Sequence, residues 1–398
     1  MNMKTTICAL MTLLICSTFS HAAELKIDAD YPGGNILVKK IDGDFVHLAQ
    51  DMRDSAPWWF YWNFRVRGAA GRTLTFHFTN GNVFGTQGPA VSVDGGLTWS
   101  WLGTKSIKRN KFSYKFSPEA KSVRFAFALP YQEADLARFL ARHRGNKHLT
   151  VHELCKTRKK RTVERIHIAD PGIQPKYRIL LTCRHHACES TASYVVEGIM
   201  DALLANTDDG KWFQENAEVM VIPFMDKDGV EDGDQGKNRK PRDHNRDYSG
   251  KSIYPSVRTL RSFVPGWSDG RIRIAQDFHC PGCKGKALFQ VGSPPQKIWE
   301  EQKRFGKILE SVTAGKALPY KQANDIPFGR KWNVPKSYKQ GKHFGHWAAE
   351  LPEVRLAGTL EIPYAQNGKS VITPDTGRAF GADFVRAMRI YLEEISEN

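Results

Sequence analysis

An α/β fold preceded by a small antiparallel β-sandwich is the architecture that this sequence predicts. Two observations carry the expectation. Over residues 24 to about 130, short strand-like runs recur between Gly, Asn and Asp turn signals, the pattern of paired antiparallel strands. From Lys176 the texture changes to apolar strands alternating with amphipathic helices, the signature of an α/β domain. The expected organisation is a leader over 1–22, a sandwich over 24–135 and an α/β domain over 136–398.

The leader is read from its three parts. Lys4 supplies a positive start, Ile7 to Cys16 form a largely apolar run, and Ser20-His21-Ala22 place small residues around a cleavage point after Ala22 or Ala23. The run is too short to span a bilayer, and no later stretch approaches the ~18 apolar residues that a membrane helix needs. The expectation is a soluble mature protein, exported to the periplasm or secreted. About 375 residues remain, more than one typical domain.

The sandwich is expected from Trp58 to Val66, Thr73 to Phe78, Ala90 to Val93, Phe112 to Phe116 and Ser122 to Phe127, with Asp94-Gly95-Gly96 as one of the turns. Its aromatics, Trp58, Trp59, Trp62, Trp99 and Trp101, read as core packing ahead of a sugar-binding face. Residues 131 to about 165 read as a connector, with helical spacing from Glu133 to Arg144 and a basic solvated turn from Lys156 to Arg161. Strands follow at Arg178 to Thr182, Val219 to Pro223, Arg271 to Ala275 and Thr359 to Ile362. Helices are expected at Ser190 to Leu204, Pro295 to Thr313 and around Phe384, Met388, Tyr391 and Leu392. Asp226 to Asp247 is almost devoid of apolar residues and reads as a long polar loop, a feature that is often functional.

The formal net charge is +16, which favours acidic partners. Five cysteines follow the leader: Cys155, Cys183, Cys188, Cys280 and Cys283. That number is odd and sparse, so a disulfide scaffold is excluded. Cys280-Pro281-Gly282-Cys283 has the spacing of half a zinc ribbon, but no second Cys-x-x-Cys exists; a local disulfide fits an exported protein.

Polar residues gather where strands end. After the Ile179 strand comes His186-Ala187-Cys188-Glu189, and after the Ile272 strand comes Asp277-Phe278-His279. Imidazole and carboxylate are ordinary zinc ligands, and catalytic zinc sites use three protein ligands with an open position. In open α/β sheets sites form beyond the carboxyl ends of strands. The long loop closes on Asp243-His244-Asn245-Arg246. Arg246 suits bidentate carboxylate binding, and Asp243 suits a hydrogen bond to the distal nitrogen of a ligating His.

These residues carry a resemblance. The chain resembles the zinc metallocarboxypeptidase family, in particular its cytosolic carboxypeptidase-like branch and the bacterial relatives of that branch. The branch shows Arg-x-His-Pro-Gly-Glu, Asn-Pro-Asp-Gly, Asp-Leu-Asn-Arg, Asp-x-His-Gly-His and a strand with a catalytic Glu. Here stand Arg184-His185-His186-Ala187-Cys188-Glu189, Asp226-Lys227-Asp228-Gly229, Asp243-His244-Asn245-Arg246, Asp277-Phe278-His279-Cys280-Pro281 and Thr359-Leu360-Glu361, in the same order. The resemblance implies a mixed-sheet α/β/α peptidase domain behind the small sandwich. It implies one Zn2+ per chain held by His186, Glu189 and His279, with Asp243 orienting His186. It further implies that Asn245 and Arg246 grip a substrate's C-terminal carboxylate and that Glu361 is the general base and acid. An arginine that polarises the scissile carbonyl in the family falls at Gly236 here; Arg239 and Arg242 are the nearest replacements, and Arg239 is favoured. Tyr338 has the spacing of a tyrosine that closes over substrate.

The implied activity is zinc-dependent removal of residues from peptide or protein C-termini, with the positive charge favouring acidic tails. Nucleic acid is not expected as a partner of an exported protein. Two alternatives stay open: a zinc amidohydrolase acting on peptidoglycan stem peptides or N-acyl amino acids, and a non-catalytic glycan- or anion-binding protein.

Overall fold

The computed structural model describes residues 24–55, 60–81 and 83–396. The expected leader lies outside the described residues, as do Trp58 and Trp59.

Two five-stranded sheets form the N-terminal sandwich. One runs β1 (Lys26–Asp28), β4 (Asn63–Arg67), β10 (Ser122–Ala126), β6 (Ala90–Ser92) and β7 (Ser100–Trp101). The other runs β2 (Leu37–Asp42), β3 (Phe45–Ala49), β5 (Thr73–Phe78), β9 (Lys111–Lys115) and β8 (Ile107–Lys108). Apolar residues on alternate positions meet between them. Phe64 of β4 packs on Phe76 of β5 with ring centroids 5.3 Å apart, and Phe76 packs on Phe125 of β10 at 5.4 Å. Trp62 is fully buried and Trp99 and Trp101 are partly so, which makes these three indoles packing residues. The sandwich departs from the antiparallel expectation at one pair: β3 and β5 are parallel. The chain leaves β3, crosses to the other sheet as β4, and returns beside β3, and such a crossover permits a parallel pair where a tight hairpin does not.

α1 (Glu133–Arg142) follows, with a reciprocal cap between Gln132 and Asp135. The expected connector then contains a hairpin, β11 (Leu149–Lys156) and β12 (Thr162–Ile168), around the basic turn. β11 is an edge strand with mostly exposed side chains, so it lacks the apolar alternation that marks a strand in a sequence.

The hairpin joins a seven-stranded mixed sheet with β13 (Tyr177–Cys183), β14 (Ala217–Ile222), β15 (Ile272–His279), β16 (Phe289–Val291) and β17 (Leu356–Glu361), in the order β11-β12-β14-β13-β15-β17-β16. The four central strands, β14, β13, β15 and β17, are parallel and fully or nearly buried. On one face Ile179 and Leu181 pack with α2 (Ser190–Leu204), α3 (Asp208–Asn216) and α8 (Pro374–Ser396). On the other, Leu180 and Met220 pack with α5 (Pro255–Ser268) and α7 (Phe344–Ala348). α6 (Gln296–Thr313) contributes to both clusters through Phe305 and Ile298. The α2 and α8 backbones approach closely at Gly198, where a Cβ would meet Arg378 O at 2.1 Å.

The long polar segment is less irregular than expected. Asp226 caps a short helix, α4 (Lys227–Asp232), by accepting from the Gly229 N–H. Beyond α4 the chain is clamped to the sandwich: Asn35 Nδ2 donates to Gly233 O at 2.9 Å, Arg53 pairs with Asp234 at 2.7 Å, and the Phe60 N–H donates to the Gln235 side chain at 2.6 Å. The five cysteines among the described residues are thiols, so no bridge joins Cys280 to Cys283.

Candidate active site

β13 delivers the first part of the site. Immediately after it Arg184 takes a left-handed conformation, φ 61°, and its buried guanidinium donates to Ala187 O at 3.1 Å and Tyr131 O at 2.8 Å. These bonds fold the chain back into a tight turn that presents His186 and Glu189 on one side. β15 and β17 deliver the rest. They are parallel neighbours in register, and the pairing sets His279 directly beside Glu361.

His186, Glu189 and His279 come together so that one donor atom from each lies within 4.8 Å of the others. His186 Nδ1 is 2.9 Å from Glu189 Oε1, and His279 Nδ1 is 2.7 Å from Glu189 Oε2. The opposite ring nitrogens are both committed to carboxylates. His186 Nε2 lies 3.1 Å from each oxygen of Asp243, and His279 Nε2 lies 2.5 Å from Asp277 Oδ2. A hydrogen bond at Nε2 fixes the tautomer that turns the Nδ1 lone pair toward Glu189. Two imidazole lone pairs and a carboxylate then face one another in a buried space, a donor set that needs a cation and suits zinc. Without a metal the same carboxylates favour the protonated imidazoles: burial alone would lower these pKa values, but Asp243 and Glu189 raise that of His186, and Asp277 and Glu189 raise that of His279.

A second layer extends from Asp277. Its Oδ1 accepts from Thr182 Oγ1 at 2.8 Å and meets His185 Nδ1 at 2.9 Å, and His185 Nε2 reaches Tyr248 Oη at 2.7 Å. Burial opposes the charge on Asp277, but His185 and His279 hold its pKa well below the usual carboxylate range. We expect Asp277→Asn to weaken zinc binding by about 10–100-fold, read by chelator competition. Because the metal binds neutral imidazoles, apparent zinc affinity in the same titration should fall as the pH falls.

A cavity of about 400 Å³ opens beside these ligands, lined among others by Lys237, Arg246, Trp332, Tyr338, Thr359 and Glu361. Glu361 is 8% exposed, and its Oε2 has no hydrogen-bond partner among the described residues. Burial and the neighbouring Glu189 raise its pKa, while Lys237, His279 and His186 oppose the rise. Arg246 is stacked 4.9 Å from the Tyr338 ring centroid, with Nε donating to Ser337 O at 3.1 Å and Nη1 to Asn245 O at 2.6 Å, which leaves Nη2 for an incoming group. Tyr338 is tied by its hydroxyl to Asn333 Oδ1 at 2.6 Å.

Asn245 lines the cavity, and Arg239 lies outside it. The Asn245 amide is engaged within the protein, accepting from the Phe344 N–H at 2.8 Å and placing Nδ2 2.9 Å from His279 Nε2 and 3.4 Å from Asp277 Oδ2. Arg239 is not in the cavity. Its three guanidinium nitrogens pair with Asp54 at 2.8 Å, Asp226 at 2.6 Å and Asp234 at 2.6 Å, so it stitches the loop to the sandwich and to α4. Arg242 is likewise spent on Asp247 and Lys251 O. Lys237, Asp277 and His185 were not singled out from the sequence. The signal for Asp277 was its two-residue offset from His279, which puts both on one face of a strand.

Known proteins resemble this chain in both sequence and fold. Residues 27–128 match the cytosolic carboxypeptidase N-terminal domain and residues 139–280 match the zinc carboxypeptidase family. The chain therefore resembles zinc carboxypeptidases over both stretches. Cytosolic carboxypeptidase 2 of Macaca fascicularis is 25% identical over 211 residues, covering 50% of this chain and 25% of that protein. The chain thus spans about a quarter of the length of that relative. Cytosolic carboxypeptidase 6 of Caenorhabditis elegans is 24% identical over 343 residues, 77% of this chain and 74% of the relative. The fold is that of a metallo-carboxypeptidase from Burkholderia cenocepacia, with a TM-score of 0.78, 19% identity and coverage of 93% of this chain and 99% of the other. A metallo-carboxypeptidase from Pseudomonas aeruginosa, solved with (2-guanidinoethylmercapto)succinic acid, matches at a TM-score of 0.76 with 19% identity, over 93% and 99% of the two chains. This chain holds a donor set for a metal and places Arg246 in the cavity, while Arg239 and Arg242 turn away from it.

Proposed function

We propose that this protein is an exported zinc metallocarboxypeptidase that hydrolyses the last peptide bond of peptides or proteins with a free C-terminus. The observation that carries the reading is the convergence of His186, Glu189 and His279 within 4.8 Å beside a buried carboxyl group, Glu361, held in strand register with His279. The charged leader and apolar run support export. Among the described residues no helix is long and apolar enough to cross a membrane.

Zinc, when bound by His186, Glu189 and His279, supplies Lewis-acid activation of water and of the scissile carbonyl. The chain's own side chains do the rest. Arg246 Nη2 takes the terminal carboxylate, with the guanidinium held over the Tyr338 ring. An internal residue would leave that cation unmatched, which restricts cleavage to chain ends. Glu361 accepts a proton from the attacking water and passes it to the leaving nitrogen. Asp243 and Asp277 hold the two imidazoles in the tautomer that the metal requires.

The test joins metal analysis to a release assay on peptides, N-acyl amino acids and muropeptides, with and without chelator. The expected result is one zinc per chain and chelator-sensitive release of terminal residues from peptides, with C-terminally amidated peptides left intact. Release only from acyl amino acids or muropeptides would replace the peptide reading with amidohydrolysis. Absence of both zinc and hydrolysis would sink it in favour of a binding protein.

A further inference from the structure

We propose that Lys237 is a catalytic residue, the cation that stabilises the oxyanion formed on the scissile carbonyl; this rests on the carboxypeptidase reading above. Among the described residues the cavity lining contains one lysine and one arginine, Lys237 and Arg246. They are tethered at different ends. Arg246 is fixed to Ser337 O and stacked on Tyr338. Lys237 Nζ lies 2.6 Å from Glu189 Oε1 and donates to Cys280 O at 2.8 Å. Cys280 is the residue after His279, so that carbonyl holds the ammonium at the strand ends where the metal ligands and Glu361 meet. An ammonium has three donors. Two are used by Cys280 O and Glu189, and the third is available to an oxygen bound between the ligands and Glu361.

The backbone explains why the charge comes from this position. Gly236 sits at φ 81°, and a Cβ there would lie 2.5 Å from Ala187 N and 3.1 Å from His186 Cα. No side chain fits against the ligand turn at 236, and Arg239 is spent on three carboxylates. The first residue able to project a cation into the cavity is therefore Lys237. Its contribution is a hydrogen bond and a charge, with no proton transferred from the ammonium. As the water oxygen bonds to the carbonyl carbon, the C=O π pair moves onto oxygen, where Lys237 donates to it. That pair returns to re-form C=O as the C–N bond breaks and the nitrogen takes the proton carried by Glu361.

The experiment uses the zinc-loaded full chain and Lys237→Met. Loss of one such donor typically costs about 10²–10³ in kcat, and that is the loss expected here, with KM within about threefold and zinc still one per chain. The affinity of a peptide phosphonate, which mimics the tetrahedral oxyanion, should fall by a similar factor, while affinity for a product peptide with its free carboxylate is unchanged. Lys237→Arg, which keeps the charge, should stay within about tenfold of wild type and serves as the variant if Met does not fold. A Lys237→Met enzyme within about fivefold of wild type, one whose loss tracks missing zinc, or unchanged phosphonate affinity would overturn the assignment. So would a folded, zinc-loaded Lys237→Arg enzyme slowed by more than about 10²-fold. A wild-type enzyme that releases no terminal residue fails the carboxypeptidase reading and this one together; an active wild type with an equally active Lys237→Met fails this one alone.

Discussion

Glu361→Gln should keep one zinc per chain and lose about three to four orders of magnitude in kcat, the upper range for removing a general base and acid. The substitution changes little else. Gln has the same shape, and Glu361 lies at the end of β17 beside His279 without contributing a donor to the ligand cluster. Among the described residues its Oε2 has no hydrogen-bond partner, so the amide replaces an oxygen that holds none of them in place. What disappears is the proton acceptor. Metal analysis and pre-steady-state turnover on the same preparation separate the two effects. A zinc-loaded Glu361→Gln enzyme with turnover near wild type would remove this carboxyl from the reaction.

The second large effect is expected at Arg246. Arg246→Ala should lower kcat/KM for a peptide with a free C-terminus by about 10–100-fold, the range for a charge-assisted hydrogen bond of about 1.5–3 kcal/mol. The loss should appear mainly in KM, because the terminal carboxylate is held alike before and during bond breaking. The matched C-terminal amide, already a poor substrate, should change little. Similar losses on the two substrates would show that Arg246 supports the cavity wall through Ser337 and Tyr338 without reading the carboxylate.

The parts of this molecule that were legible in the sequence are those whose information is local. The His186–Glu189 pair sits three apart on one turn, and β17 carries Glu361 in a short apolar strand. Buried parallel strands such as β13 and β14 announce themselves as continuous apolar runs. The parts that were not legible depend on distant partners. β11 is held by pairing with β12, not by burial, so its exposed polar side chains gave no period to detect. Asp226 to Asp247 looked like solvent-exposed loop because it is charged, yet Arg239 and Asp247 are buried and their charges are matched inside the fold. A one-dimensional reading sees charges and assigns them to water. The choice between Lys237 and Arg239 was out of reach for the same reason: it is made by the contact of Gly236 with the His186 turn, some fifty residues away in the chain.

The clamp between the sandwich and the segment after α4 has a practical outcome for anyone dividing this protein. Asn35, Arg53 and Asp54 on the N-terminal side hold Gly233, Asp234 and Arg239, and the ammonium at position 237 hangs from the backbone between those grips. Cutting the chain at residue 135 to obtain a minimal hydrolase would leave the ligands on their strands but release the span that aims Lys237. The amino-terminal sandwich acts as a jig for the chemistry of its neighbour, and the two parts make a single tool.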